Sequence, residues 1–160
     1  ILSGLVGSEM CIRDSFKGRW TFLFFGYTQC PDICPTALSA MKDVKARLTA
    51  AGQPAPAVVF VSVDPARDTL ELLGNYVPAF DPAFLGVTPA DDGALQALTK
   101  HLGVFYKRND DTDKQHYTVD HTAAIYLIDP EARLRALFSG PPNPQAIADD
   151  FRALVAGEGK

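Results

Sequence analysis

The chain has 160 residues and 17.3 kDa, 47% hydrophobic and 21% charged, which fits one compact domain and argues against a disordered tail or a second full domain. Fifteen Lys plus Arg against nineteen Asp plus Glu leave a formal net charge of -4 and a pI near 5.2, no electrostatic footprint for nucleic acid or an anionic membrane. No apolar run approaches the ~20 residues of a membrane-spanning helix, and three cysteines are too few for a disulfide scaffold, so the question is whether two are placed for chemistry.

Before Phe16 the chain shows neither a helical period nor strand alternation. The run Leu5-Val6-Gly7-Ser8-Glu9-Met10-Cys11-Ile12-Arg13-Asp14-Ser15 resembles the conceptual translation of sequencing-adapter DNA. Residues 1–15 are therefore expected to be non-native or disordered, outside a domain spanning 16–160, and Cys11 drops out of the cysteine arithmetic. Any native leader or anchor would lie upstream.

Residues 20–27, Trp-Thr-Phe-Leu-Phe-Phe-Gly-Tyr, are almost continuously apolar, as a strand buried on both faces requires. Over 35–51, Leu38, Met41, Val44 and Leu48 recur at three- and four-residue spacing between charged residues, which predicts an amphipathic helix with Pro35 in its first turn and Gly52 at its stop. The β-branched run 57–63 completes a right-handed parallel βαβ unit. Asp68-Thr69-Leu70-Glu71 carries the side chains of a capping box, with Asp68 as the cap of a helix running toward Val77. A short strand at 84–87, a helix capped by Asp91 or Asp92 through Leu102, another short strand at 104–107 and a polar loop over 109–115 follow. The runs 122–128 and 132–138, joined by Asp129-Pro130-Glu131, predict an antiparallel hairpin. Asn143-Pro144 then opens a helix with Ile147, Phe151 and Leu154 on one face. This is an α/β order, and with a cysteine pair straight after the first central strand it resembles the thioredoxin fold. The expected architecture is a central mixed sheet flanked by helices, with an inserted strand-helix segment.

Chemistry concentrates in Gly26-Tyr27-Thr28-Gln29-Cys30-Pro31-Asp32-Ile33-Cys34-Pro35, between the end of a parallel strand and the start of a helix, where open α/β sheets place ligands. Thiols four positions apart come within disulfide range, and a helix N-terminus favours thiolate, so both cysteines are expected to be reactive. Such a pair forms a reversible disulfide or binds a soft metal; copper(I) suits so few thiolate and imidazole ligands, whereas zinc usually takes four. Of the three histidines, His121 is the candidate third ligand, because it precedes the third core strand at the sheet edge facing the cysteine loop. No proline occupies 119–125, near where thioredoxins carry a cis-proline. His101 falls late in a helix, where the C-terminal carbonyls explain it, and His116 falls in the loop region. Asp120 is a candidate for orienting His121, and the segment Asp64-Pro65-Ala66-Arg67-Asp68-Thr69 for lining the same edge.

Phe25-Gly26-Tyr27-Thr28, Cys30-Pro31-Asp32-Ile33-Cys34-Pro35, Val63-Asp64-Pro65 with Arg67-Asp68-Thr69, Val119-Asp120-His121-Thr122 and Tyr126-Leu127-Ile128-Asp129-Pro130 together resemble the Sco/SenC family, from Phe16 to the end. The resemblance implies a membrane-anchored thioredoxin-fold copper protein that helps load the dinuclear copper site of cytochrome c oxidase. It implies copper(I) or copper(II) bound by Cys30, Cys34 and His121, and a place on the periplasmic face of a bacterial inner membrane. The expected partners are the copper-site subunit of the oxidase and other periplasmic copper chaperones, with no nucleic acid and a monomeric chain. Gln29 stands where many members carry His, with little effect expected on binding.

The competing reading is a thiol-disulfide oxidoreductase, with Cys30 as attacking thiolate and Cys34 as resolving thiol. Disulfide exchange does not need His121, whereas metal binding does. A peroxiredoxin-type peroxidase would want Pro and Thr seven and three residues before its cysteine, where Leu23 and Tyr27 stand.

Overall fold

The computed structural model describes residues 5–7, 18–109 and 116–158. Strand β1 (Leu5–Gly7) is followed by β2 (Thr21–Gly26), helix α1 (Ile33–Ala50), β3 (Ala57–Ser62), α2 (Leu70–Tyr76) and β4 (Leu85–Pro89). Helix α3 (Asp92–Leu102), the strands β5 (Tyr106–Asn109), β6 (Thr118–His121), β7 (Ala124–Ile128) and β8 (Leu134–Ser139), and α4 (Pro144–Glu158) complete the order. The main sheet runs β1-β4-β3-β2-β7-β8, while β5 and β6 form a separate two-stranded ribbon. Within it β2, β3 and β4 are parallel and β1, β7 and β8 antiparallel to their neighbours, so the expected mixed sheet is present. The inserted segment is β4 with α3, also as expected.

Strand β2 is central because it has no polar face: every residue of it is buried, and its aromatic rings wedge into both layers. Phe22 meets Phe151 of α4 and Phe138 of β8, while Phe25 meets Tyr126 edge-on. Helix α1 buries the predicted stripe Leu38, Met41, Val44 and Leu48 and packs along α4. Edge strand β8, by contrast, alternates and leaves Leu134 and Leu137 exposed.

Several local expectations shift. Helix α1 starts at Ile33, so Cys34 stands inside its first turn rather than ahead of it. Asp68 does not cap α2. Thr69 is the cap, its side chain accepting from the Leu72 N–H, because Asp68 is buried and committed to other donors. The α3 cap falls on Asp91, which accepts from the Ala94 N–H, and Gly103 closes the helix at φ 70°. Thr118–His121, unassigned by periodicity, pairs with β5, and Asn109 belongs to that ribbon rather than to a loop. The rest of that predicted loop, 110–115, lies outside the described residues. Of residues 1–15, only Leu5–Gly7 are described, paired antiparallel to β4 at the sheet edge; Cys11 lies outside. No cis peptide bond occurs among the described residues.

Topology places the site. Strand β7 runs antiparallel to β2 with Ile125 opposite Phe24, so the chain entering β7 passes the end of β2, where the cysteine loop begins.

Candidate metal centre

Cys30 lies in the turn leaving β2, its N–H bonded to the Tyr27 carbonyl at 3.2 Å, and Cys34 lies in the first turn of α1. Both are unbridged thiols; Cys30 is 8% exposed and Cys34 fully buried. His121 closes β6 and brings Nε2 to 3.5 Å from the Cys34 sulfur. Ligand atoms of Cys30, Cys34 and His121 all lie within 4.8 Å of one another, the three residues singled out from sequence. Neither His101, near the end of α3, nor His116 belongs to this group.

The imidazole is set in one tautomer. Its Nδ1 faces the Thr122 carbonyl at 3.3 Å, and a carbonyl only accepts, so Nδ1 carries the proton and the Nε2 lone pair points at the sulfurs. Burial pushes the His121 pKa down, against the Thr122 hydrogen bond and the Asp120 charge, which favours the neutral ligand form. The orienting partner is thus the Thr122 carbonyl and not the exposed Asp120. Phe24 and Tyr27 flank the ring in near-perpendicular contacts, each with centroids 6.0 Å away.

For Cys34 the electrostatic expectation is reversed. Burial, together with the hydrogen bond to Cys30, pushes the thiol well up, outweighing a backbone hydrogen bond from Tyr27. That single backbone donor does not offset the burial of this sulfur. A bound cation would do so, because coordination removes the thiol proton.

Sequence reasoning named Gly26 and the Asp64–Thr69 segment without showing how they support the thiols. A Cβ built on Gly26 would stand 2.5 Å from the Cys34 sulfur and 2.8 Å from the Phe60 ring, so only glycine lets the sulfur sit over the end of β2. Asp68 lies beneath the cysteine loop, accepting from the Thr28 N–H, from Thr28 Oγ1 at 2.6 Å and from Ser62 Oγ at 2.7 Å. Burial pulls the Asp68 pKa up against these donors. Arg67 donates Nε to Asp64 and Nη1 to Gln29 Oε1 at 3.0 Å, and the other Asp64 oxygen accepts from the Tyr117 hydroxyl. The Asp64–Asp68 segment therefore lines this edge as a holder of the loop, and its two carboxylates are outside the candidate ligand group.

A family model described as SCO1/SenC matches residues 7–156. The chain belongs to the SCO1/SenC family. A mitochondrial SCO2 homolog of Bos taurus is 36% identical over 151 residues, covering 94% of this chain and 56% of that protein, so the chain spans about half the length of such relatives. The Bradyrhizobium japonicum ScoI structure with copper bound is 36% identical, with TM-score 0.74 over 88% of this chain and 87% of that one. Arabidopsis thaliana ScoI with copper bound is 28% identical, with TM-score 0.83 over 90% and 88% of the two chains. Thus this SCO1/SenC chain shares its thioredoxin-like sheet with copper-bound family members.

Proposed function

We propose that this chain is a copper metallochaperone, holding one copper ion as cargo on Cys30, Cys34 and His121 and delivering it to the dinuclear copper site of cytochrome c oxidase. The observation that carries the reading is the convergence of two thiols and one neutral imidazole within 4.8 Å, from segments 87 positions apart. Two soft sulfurs and one imidazole suit copper(I), and three ligands leave an open side for an incoming donor. Cys30 is the less deeply buried of the two cysteines, so exchange with a receiving protein starts there. The copper-bound relatives support the cargo, and the family resemblance supports the oxidase subunit and periplasmic copper chaperones as partners. No helix among the described residues is long and apolar enough to cross a membrane. A periplasmic site of action, with the domain held at the inner-membrane face by an N-terminal anchor, is part of the same proposal.

A second reading follows from the free dithiol. The Cys30 thiolate attacks a partner disulfide and expels one partner thiolate; the Cys34 sulfur then attacks Cys30, its proton passing to the partner's second sulfur as that sulfur is expelled. The Cys30–Cys34 disulfide left behind has given two electrons to the partner. One experiment separates the readings: copper(I)-loaded protein is mixed with the reduced soluble copper-site domain of an oxidase subunit in one arm, and reduced copper-free protein with the disulfide-bonded domain in the other. The chaperone reading predicts copper transfer in the reduced arm, lost in His121→Ala. Reduction of the oxidised domain at equal rates by the wild type and His121→Ala, with no copper movement, would favour the oxidoreductase.

A further inference from the structure

We propose that Arg67 is a positioning residue for the metal centre, clasping the cysteine loop to the ribbon that carries His121. This rests on the reading that copper binds Cys30, Cys34 and His121. Those ligands come from two parts of the fold that share no ladder: Cys30 from the β2–α1 loop and Cys34 from the first turn of α1, against the main sheet, and His121 from the separate β5–β6 ribbon. A two-stranded ribbon is marginally stable alone and takes its position from what it packs against.

Arg67, from the β3–α2 connection, touches both parts. Its Nη1 donates to Gln29 Oε1, beside Cys30, at 3.0 Å. Its guanidinium lies 3.5 Å over the Tyr117 ring, at the foot of the ribbon, and 5.7 Å from the Tyr27 ring that packs perpendicular to His121. Asp64 locks this geometry, accepting Arg67 Nε on one oxygen and the Tyr117 hydroxyl on the other. Arg108 lies 3.7 Å over Tyr117 as well. Two guanidinium groups that close to one centroid must occupy opposite faces, so the ring is sandwiched. Only a planar, forked cation stacks on a ring while donating to a carboxylate and an amide; a lysine ammonium does one of these at a time.

The test compares copper(I) affinity by chelator competition, the copper(II)–thiolate absorption band and the melting temperature in wild type, Arg67→Gln, Arg67→Lys, His121→Ala and Arg67→Gln/His121→Ala. Lys45→Ala, which breaks the ion pair to Asp81 away from the centre, is the control. Arg67→Gln is expected to weaken copper(I) binding about 10- to 100-fold, the usual cost of losing support behind a ligand, and to shift the absorption band. That loss should shrink in the His121→Ala background, because the two residues act on one geometry. Lys45→Ala should lower the melting temperature and leave the band in place. Arg67→Lys should shift the band in the same direction, and it decides the matter if Arg67→Gln does not fold. A wild-type band and affinity in the folded Arg67 variants, or an equal loss with and without His121, would overturn the inference. Wild-type protein that binds no copper would instead overturn the copper reading beneath it.

Discussion

At the scale of single residues, the centre depends on one missing methyl group. Gly26→Ala drives a carbon into the Cys34 sulfur and the Phe60 ring, both buried, so something must shift. The expected cost is about 1–3 kcal/mol of stability, typical of overpacking, together with weaker copper(I) binding, measured by chemical denaturation and chelator competition. Wild-type values in both would show that the end of β2 has room that the geometry denies. Cys30, Cys34 and His121 were legible in the sequence because their chemistry is rare and they stand beside recognisable strand and helix signals. Gly26 and Arg67 stand in the segments singled out, but what they and Tyr117 do was not legible, since each acts through a partner that no local pattern reveals: Tyr117 reaches Asp64 across 53 positions. What sets the Cys34 pKa was hidden for a related reason. Sequence places it near a helix N-terminus, and only the packed structure shows that burial dominates.

At the scale of elements, strongly periodic segments were legible: the buried run of β2, the stripe of α1 and the Asp129 turn joining β7 to β8 all follow from spacing and turn chemistry. The ribbon was only half legible, since Thr118–His121 is too short and alternates too weakly to declare itself. The start of α2 was misread because Asp68 and Thr69 are both competent caps, and the choice depends on Thr28, 40 positions earlier. This assignment is testable by urea denaturation combined with copper(I) competition. Thr69→Ala should cost about 1 kcal/mol, as for a lost cap, and leave copper affinity intact. Asp68→Ala should cost about 1–3 kcal/mol by stranding buried donors, and should weaken copper binding because Thr28 leads into Cys30. Unchanged copper affinity in folded Asp68→Ala would remove Asp68 from the support of the loop.

At the scale of the whole molecule, the sequence implied the layers but not how the ribbon docks, because docking is decided by side chains meeting across the fold. Acid stability is likewise a property of such distant pairs. Burial pulls the Asp81 pKa up, but the Lys45 ammonium and the Ala83 N–H outweigh it and hold the carboxyl below its usual range. A folded-state pKa below the unfolded value means that this stabilisation is present above about pH 4 and lost as pH falls through the folded pKa. Asp81→Asn should therefore flatten the acid limb of the melting-temperature profile; an unchanged limb would assign acid unfolding to other groups. The measurement closest to the central claim is an anaerobic copper(I) titration of reduced protein against a competing chelator, with Cys30→Ala, Cys34→Ala and His121→Ala alongside. The account predicts one tight equivalent in the wild type, with tight binding lost in every variant. Weak binding indifferent to His121, with dithiol exchange retained, would contradict it.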